Sequence, residues 1–292
     1  MSRAGTWISA MRPKTLAAGA APVIIGTAMA FEAAAGHAPS AFAALFGAVL
    51  IQIGTNFAND YFDFVKGADT AARIGPVRAT AAGLVRPETM RRAMILAFAL
   101  VFVPGSYILY RGSWPFLAVG LVSIVCGVLY TGGPWPLAYL GLGDLFVLVF
   151  FGPVAVGGTY YLQAGALPEE VVWAGVAAGL FSTAILTVNN LRDIEGDRAA
   201  RKRTLAVRFG RGVARAEYAI AILLGGAGIP MLLAMRYAHA YVALAALAVL
   251  PAIPCIRIVW TSEDGPALNG VLAKTGQLLL LFAVLFSIGW SL

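Results

Sequence analysis

Two short segments of this chain are rich in aspartate and asparagine, and they are typical of a site for a divalent cation. The first covers 56–69 and the second 189–197. If each segment continues a helix, its polar side chains share one face, at Asn56, Asn59 and Asp63 in the first and at Asn190, Asp193 and Asp197 in the second. Their oxygens suit Mg²⁺, which typically takes one or two carboxylates together with water and phosphate oxygens. Ca²⁺ or Mn²⁺ fits the same spacing.

The two segments also resemble each other. An Asn-x-x-x-Asp spacing occurs at Asn59/Asp63 and again at Asn189/Asp193. We interpret this as a weak internal duplication inside one domain, 1–292, with halves at about 12–131 and 139–260 and an extra helix at 270–292. The two anionic segments would then face each other across one mouth of the molecule. The alternative, that these acids only pair with neighbouring Arg and Lys, remains open.

Basic residues follow both acidic segments. They are suited to binding diphosphate oxygens through charge-assisted hydrogen bonds, and they are Lys66, Arg73, Arg78, Lys202 and Arg208. A general excess of positive charge on one side of a membrane would also place most of them there, so both interpretations stay open.

The elements that must position these residues are membrane-spanning helices. The chain is 60% hydrophobic and 12% charged, whereas soluble domains contain roughly 25% charged residues. A spanning helix needs about 20 apolar residues. Apolar stretches are centred on 16–34, 41–58, 94–110, 114–130, 145–162, 171–188, 216–234, 240–259 and 271–290. The sequence therefore predicts an all-α, polytopic membrane bundle of about nine transmembrane helices.

The basic residues predict the orientation of this bundle. Of the 21 Lys and Arg residues, all but Arg111 and Arg236 fall in connections on the same side as the acidic segments. The positive-inside rule makes that side cytoplasmic, and we expect a bacterial cytoplasmic (inner) membrane. The same excess explains the net charge of +7, so membrane lipids and an anionic substrate are the expected partners and a nucleic acid is not.

Longer motifs around these residues resemble the UbiA superfamily of membrane prenyltransferases. Within that superfamily the chain is most similar to the 1,4-dihydroxy-2-naphthoate polyprenyltransferases, and the likeness extends to about Gly210. The motifs that carry it are 12–16, 59–69, 73–76, 130–134, 141–144 and 189–198. The basic pair that typically follows the corresponding Tyr in the 4-hydroxybenzoate branch is absent after Tyr130.

The resemblance implies Mg²⁺-dependent transfer of a polyprenyl group from its diphosphate to 1,4-dihydroxy-2-naphthoate, with decarboxylation, in menaquinone biosynthesis. The metal ligands would come from Asn59, Asp60, Asp63, Asp69, Asp193 and Asp197, with Asp63, Asp193 and Asp197 ahead of Asp69 and Asp60. Tyr130 would contact the donor near the reacting carbon, or else be an ordinary interfacial tyrosine. Further substrate-binding residues would be Arg12, Lys14, Asn190 and Asp144, of which Asp144 could equally cap the helix that follows it.

Two alternatives stay open. The acceptor could be that of another branch, such as 4-hydroxybenzoate, homogentisate or haem. A secondary transporter also combines a duplicated bundle with intramembrane charges. The position of both acidic segments at helix ends, away from the bilayer midplane, counts against a transporter.

Overall fold

The computed structural model describes residues 2–68, 75 and 78–292, and every regular element in this part of the chain is a helix. A nine-residue amphipathic helix, α1 (Arg3–Met11), comes first. Nine longer apolar helices follow, which are α2 (Pro13–Glu32), α3 (Ala38–Val65), α4 (Pro87–Gly112), α5 (Trp114–Leu129), α6 (Gly143–Ala164), α7 (Glu169–Arg192), α8 (Leu205–Arg236), α9 (Ala240–Thr261) and α10 (Gly265–Ser291).

Eight of these helices in the described residues are long and apolar enough to cross a membrane. The exception is α5, whose 16 residues fall short of the about 20 that a bilayer requires. The predicted all-α membrane bundle is confirmed, with α5 as a shorter ninth helix. Asp69 and Arg73 lie outside the described residues.

Small residues let α6 and α7 pack closely. A Cβ atom on Gly152 would lie 2.7 Å from the carbonyl oxygen of Gly175, and one on Gly179 would lie 2.3 Å from that of Leu148. Only glycine permits such an approach of two backbones, a common device in membrane bundles. Pro153 adds a π-helical turn to α6 beside this contact, because it removes a backbone donor. The contact joins the first half of α6 to the first half of α7.

The core lies mainly among α2, α7, α8, α9 and α10, where Phe181, Phe282 and Tyr218 are fully buried. A smaller cluster joins α1, α3 and α4 around Phe57 and Met90. Gly127 is the only buried residue of α5. This helix therefore forms a thin wall of the bundle.

Candidate active site

Lys202 joins the two acidic segments. Its Nζ atom lies 3.3 Å from Oδ1 of Asp63 and 3.7 Å from Oδ1 of Asp197. Asp63 is near the end of α3, whereas Asp197 follows the end of α7. Residues far apart in sequence therefore place their carboxylates on either side of one ammonium group, at a single end of the bundle.

Asp63 is the most enclosed carboxylate of this group. Its side chain is 2% exposed, and its Oδ2 atom accepts a hydrogen bond of 3.0 Å from Nη2 of Arg78. Its Oδ1 atom faces Lys202 but receives no directed hydrogen bond within the described residues. A buried carboxylate is stable only with compensating positive charge. Arg78 and Lys202 supply that charge here, and one oxygen keeps capacity for a further ligand.

Asp60, three residues earlier, has a different environment. Its Oδ2 atom accepts from the backbone N–H of Ala79 at 3.0 Å, and its Oδ1 atom accepts from that of Thr80 at 2.9 Å. The carboxylate thereby fastens the segment that carries Arg78. Both of its oxygens accept from this segment, which gives Asp60 a structural role at this point of the fold.

The amides of the first acidic segment connect α3 to its neighbours. Asn59 accepts a hydrogen bond of 2.9 Å from the hydroxyl of Thr131, which follows α5. Asn56 donates to the carbonyl oxygen of Met11 at 2.9 Å and to the hydroxyl of Thr15 at 3.3 Å. These bonds hold the corner between α1 and α2 and the loop after α5 against the site.

Asp193 is held by its neighbour Arg192, a pairing with an adjacent Arg of the kind that the sequence left open. Nε of Arg192 donates to Oδ1 of Asp193 at 2.7 Å, and Nη2 donates to Oδ2 at 2.5 Å. The guanidinium also donates to Asn189 at 2.8 Å and to Asn269 of α10 at 2.6 Å. The Arg next to Asp193 was a local signal for this clamp, whereas nothing near Asn269 in the sequence indicates its part.

Tyr139 is a second residue that the sequence analysis missed. The ammonium groups of Lys66 and Lys202 lie 5.0 Å and 5.3 Å from the centre of its ring, within the range of a cation–π interaction. Lys66 also donates to the carbonyl oxygens of Thr131 at 2.6 Å and Gly133 at 3.0 Å. Burial lowers the pKa of Lys66, and the charge of Asp63 opposes that shift.

Tyr130 lies beside the start of α6, where a Cβ atom on Gly143 would be 3.0 Å from its hydroxyl oxygen. Burial, together with the negative charges of Asp144, Asp197 and Asp63, raises the pKa of Tyr130. Its hydroxyl therefore stays protonated at neutral pH and can donate a hydrogen bond.

Many of these groups border one cavity of about 650 Å³, whereas Asp60, Lys66, Tyr139 and Arg192 are not part of its lining. Its polar end is lined by Arg12, Asn59, Asp63, Arg78, Tyr130, Asp144, Asn190, Asp193, Asp197 and Lys202. From there it continues between apolar walls, and Gly47, Phe116 and Leu162 line the half toward the opposite ends of their helices. A ligand with a charged head and a long apolar tail matches this shape.

Two further predicted basic residues are not part of this lining. Lys14 is exposed and does not line the cavity. Its backbone packs against α10, where a Cβ atom on Gly276 would be 2.7 Å from the Lys14 carbonyl oxygen. Arg208 donates to the carbonyl oxygen of Leu140 at 2.9 Å. It therefore supports the loop before α6.

The donor chemistry of the site fits a hard divalent ion. Asn59, Asp63, Asp193 and Asp197 offer oxygen atoms only, and Oδ1 of Asp63 lacks a hydrogen-bond donor within the described residues. In the same part of the chain, no group of three His, Cys, Asp or Glu residues is close enough to hold a metal ion by itself. That arrangement suits Mg²⁺, which takes few carboxylates and completes its shell with water and phosphate.

The chain is similar to known proteins along nearly its whole length. The sequence model of the UbiA prenyltransferase family matches residues 20–269 of this chain. The 1,4-dihydroxy-2-naphthoate octaprenyltransferase of Escherichia coli is 37% identical over 99% of this chain and 96% of its own length. The Mycobacterium tuberculosis protein of the same name is 38% identical over 97% of this chain and 96% of its own length.

Solved structures share the fold. A UbiA homologue from Archaeoglobus fulgidus, bound to GPP and Mg²⁺, aligns with a TM-score of 0.67 at 16% identity, covering 98% of this chain and 100% of its own. The apo structure of a homologue from Aeropyrum pernix gives a TM-score of 0.68 at 16% identity, covering 95% and 97%.

Proposed function

The chain belongs to the UbiA prenyltransferase family, and we propose that it transfers a polyprenyl group from polyprenyl diphosphate to 1,4-dihydroxy-2-naphthoate with loss of carbon dioxide and pyrophosphate, giving the reduced (quinol) form of a demethylmenaquinone. The observation that carries the proposal is the contact of Lys202 with Asp63 and Asp197 at the polar end of a long apolar cavity. The curated relatives that match nearly the whole chain support the choice of acceptor.

Asn59, Asp63, Asp193 and Asp197 would hold Mg²⁺, the ion named with prenyl diphosphates in the solved homologues. When bound, Mg²⁺ would orient the diphosphate and act as a Lewis acid toward it as it leaves. Basic side chains of the protein would also bind the diphosphate. Arg78 and Lys202 lie at the same end of the cavity and can donate charge-assisted hydrogen bonds to phosphate oxygens.

Breaking the allylic C–O bond leaves positive charge on the prenyl carbon. The apolar walls of the cavity, among them Phe146, Phe150 and Val154, exclude water that would quench this charge. Tyr130 lies where the polar and apolar parts meet, and its ring can stabilise a nearby cation. Its protonated hydroxyl can donate to the departing oxygen.

The acceptor ring must then attack through carbon. Asp144 lines the same cavity and is 8% exposed, so it is placed to accept a hydrogen bond or a proton from an acceptor hydroxyl. Withdrawing that proton makes the ring a stronger nucleophile. Carbon dioxide leaves after the new C–C bond forms.

We also assign the site to the cytoplasmic face of a bacterial inner membrane, from the distribution of Arg and Lys. Donor and product then remain dissolved in the bilayer, while the diphosphate head reaches the basic, water-facing end of the bundle. The thin wall formed by α5 is compatible with lateral access from lipid.

The test is a turnover assay with purified protein, a labelled polyprenyl diphosphate and Mg²⁺. We expect a prenylated product with 1,4-dihydroxy-2-naphthoate and none with 4-hydroxybenzoate or homogentisate, and EDTA should abolish the reaction. Turnover with another acceptor alone would reassign the enzyme to a different branch. Solute flux into proteoliposomes without consumption of prenyl diphosphate would instead indicate a transporter.

A further inference from the structure

A second cavity of about 340 Å³ lies between the outer faces of α6, α7 and α8. Its polar residues are Asp144, Thr183 and Glu217, and its apolar walls include Leu145, Leu148 and Ile220. We call it the acidic crevice. Leu145 and Ile220 are 56% and 60% exposed on apolar helices, so the crevice opens toward the lipid side of the bundle.

The crevice contains buried polar atoms whose hydrogen-bonding capacity is unused. Thr183 is 6% exposed and Asp144 is 8% exposed. Neither Oγ1 of Thr183 nor Oδ1 of Asp144 has a hydrogen-bond partner among the described residues. Buried polar groups normally have partners. Two such side chains border one crevice, where a ligand can supply the missing bonds once these covered atoms turn toward it.

Glu217 provides the third polar group and comes from α8. It lies close enough to Asp144 for their charges to interact. The described residues contain no cation within ion-pair distance of Glu217, because the nearby Arg215 instead contacts Glu263 and the carbonyl oxygen of Val259. The acidic crevice therefore repels anions such as phosphate or a lipid headgroup.

We propose, resting on the proposed function, that the acidic crevice binds the dihydroxylated ring of the aromatic acceptor. Its two hydroxyl groups would donate to Asp144 and Glu217, Thr183 would contribute a further hydrogen bond, and the leucine and isoleucine side chains would cover the ring faces. Planar rings with a few convergent polar contacts are typical ligands of such apolar sites. The acceptor's own carboxylate, repelled by both acids, would be directed toward the cations of the main cavity.

Asp144 connects the acidic crevice to the active site, because it lines the main cavity as well. An acceptor arriving from the membrane would meet Glu217 and Thr183 first and would present a hydroxyl to Asp144 beside Tyr130 and the prenyl donor. In this arrangement Glu217 is a specificity residue for the acceptor, with no contact to the diphosphate.

The experiment compares the purified full-length protein with Glu217→Gln and Thr183→Val in turnover assays. We expect each substitution to raise KM for 1,4-dihydroxy-2-naphthoate, by about 10-fold for Glu217→Gln, as for loss of a hydrogen bond to a charged group. KM for the prenyl diphosphate should stay within about twofold of the wild-type value, since the gain or loss of one hydrogen bond to the prenyl diphosphate would change it by more than that. Thr183→Ser, which retains the hydroxyl, and Glu263→Gln, an exposed acid outside the crevice, are the matched controls.

A substrate analogue separates recognition from folding. Wild-type protein should prefer the dihydroxy acceptor over 1-hydroxy-2-naphthoate, and Glu217→Gln should reduce that preference while binding Mg²⁺ and pyrophosphate normally. If wild-type protein is active and the variants keep its acceptor KM and its acceptor preference, the crevice proposal is wrong while the proposed function stands. If the variants are instead less inhibited by added prenylated quinol, with no change in acceptor KM, the crevice binds the product. That result would also overturn the proposal. No turnover of the naphthoate by wild-type protein would overturn the proposed function and the crevice proposal together.

Discussion

Asp60 and Asp63 show how residues of one type in one motif acquire different tasks. They lie three positions apart on α3, yet Asp60 binds two backbone N–H groups while Asp63 faces Arg78 and Lys202. The sequence spacing makes both equally plausible metal ligands. Only the path of the chain after residue 77, which folds back over α3, separates their roles.

Replacing Asp60 with Asn should therefore reduce stability more than metal use. The amide can accept only through one oxygen, so a buried backbone N–H loses its partner, at a cost of about 1–3 kcal/mol in unfolding free energy. We expect a lower midpoint in thermal unfolding of the detergent-solubilised protein, with Mg²⁺-dependent pyrophosphate affinity nearly unchanged. Normal stability combined with lost Mg²⁺ dependence would assign Asp60 to the metal instead.

Lys202 allows a second test at this scale. Lys202→Met removes the ammonium that lies between Asp63 and Asp197, and we expect kcat/KM for the prenyl diphosphate to fall about 10- to 100-fold, the range for a lost charge-assisted contact. Arg198→Gln is the control, since Arg198 lies in the same segment but pairs on the surface with Glu195. An equal loss in both variants would indicate a general effect of charge.

At the scale of elements, α10 supports the second acidic segment through the side chain of Asn269. Asn269 accepts a hydrogen bond from Arg192, which in turn holds both oxygens of Asp193. The last helix thus helps to orient a residue of the active site, although it contributes no acidic motif of its own.

Asn269→Ala should loosen this clamp. We expect the Mg²⁺ concentration for half-maximal turnover to rise about 10-fold, because Arg192 loses an acceptor and Asp193 loses its fixed orientation. Asn269→Asp, which keeps an acceptor at the same place, should remain close to wild type. The account of the clamp is wrong if alanine leaves the Mg²⁺ requirement unchanged.

The apolar part of the cavity depends on α5. Gly120 lines the cavity, and a Cβ atom there would meet no atom within 4 Å, so Gly120→Leu should fold normally and narrow the passage. It lies about 15 Å along the helix from Tyr130. A long polyprenyl chain must pass this point, whereas a short geranyl chain ends before it.

We therefore expect Gly120→Leu to reduce turnover of long polyprenyl diphosphates at least about 10-fold, a steric loss of the order seen for overpacking, and to spare geranyl diphosphate. Competition between the two donors in one assay measures the shift. The same substitution at Gly270, exposed on α10 and also without neighbours within 4 Å, is the control. Unaltered chain-length preference would place the prenyl tail elsewhere.

For the whole molecule, the sequence predicted the bundle well, because spanning helices must be long and apolar regardless of their neighbours. The meeting of the two acidic segments followed from their matching positions at helix ends. Tyr139, Asn269 and Glu217 could not be predicted, since each acts through contacts with residues far away in sequence. Charge and position alone do not show which basic side chains border the cavity, and Lys14 is one that does not.

The central claim is that two segments from opposite halves of the chain form one site for a divalent ion and pyrophosphate. Calorimetric titration of the purified protein with inorganic pyrophosphate, with Mg²⁺ or with EDTA, tests it directly. We predict one binding event that requires Mg²⁺ and that Asp63→Asn and Asp193→Asn each weaken by at least about 100-fold, equivalent to about 2.8 kcal/mol. Binding that persists in EDTA, or that survives either substitution, would contradict the account.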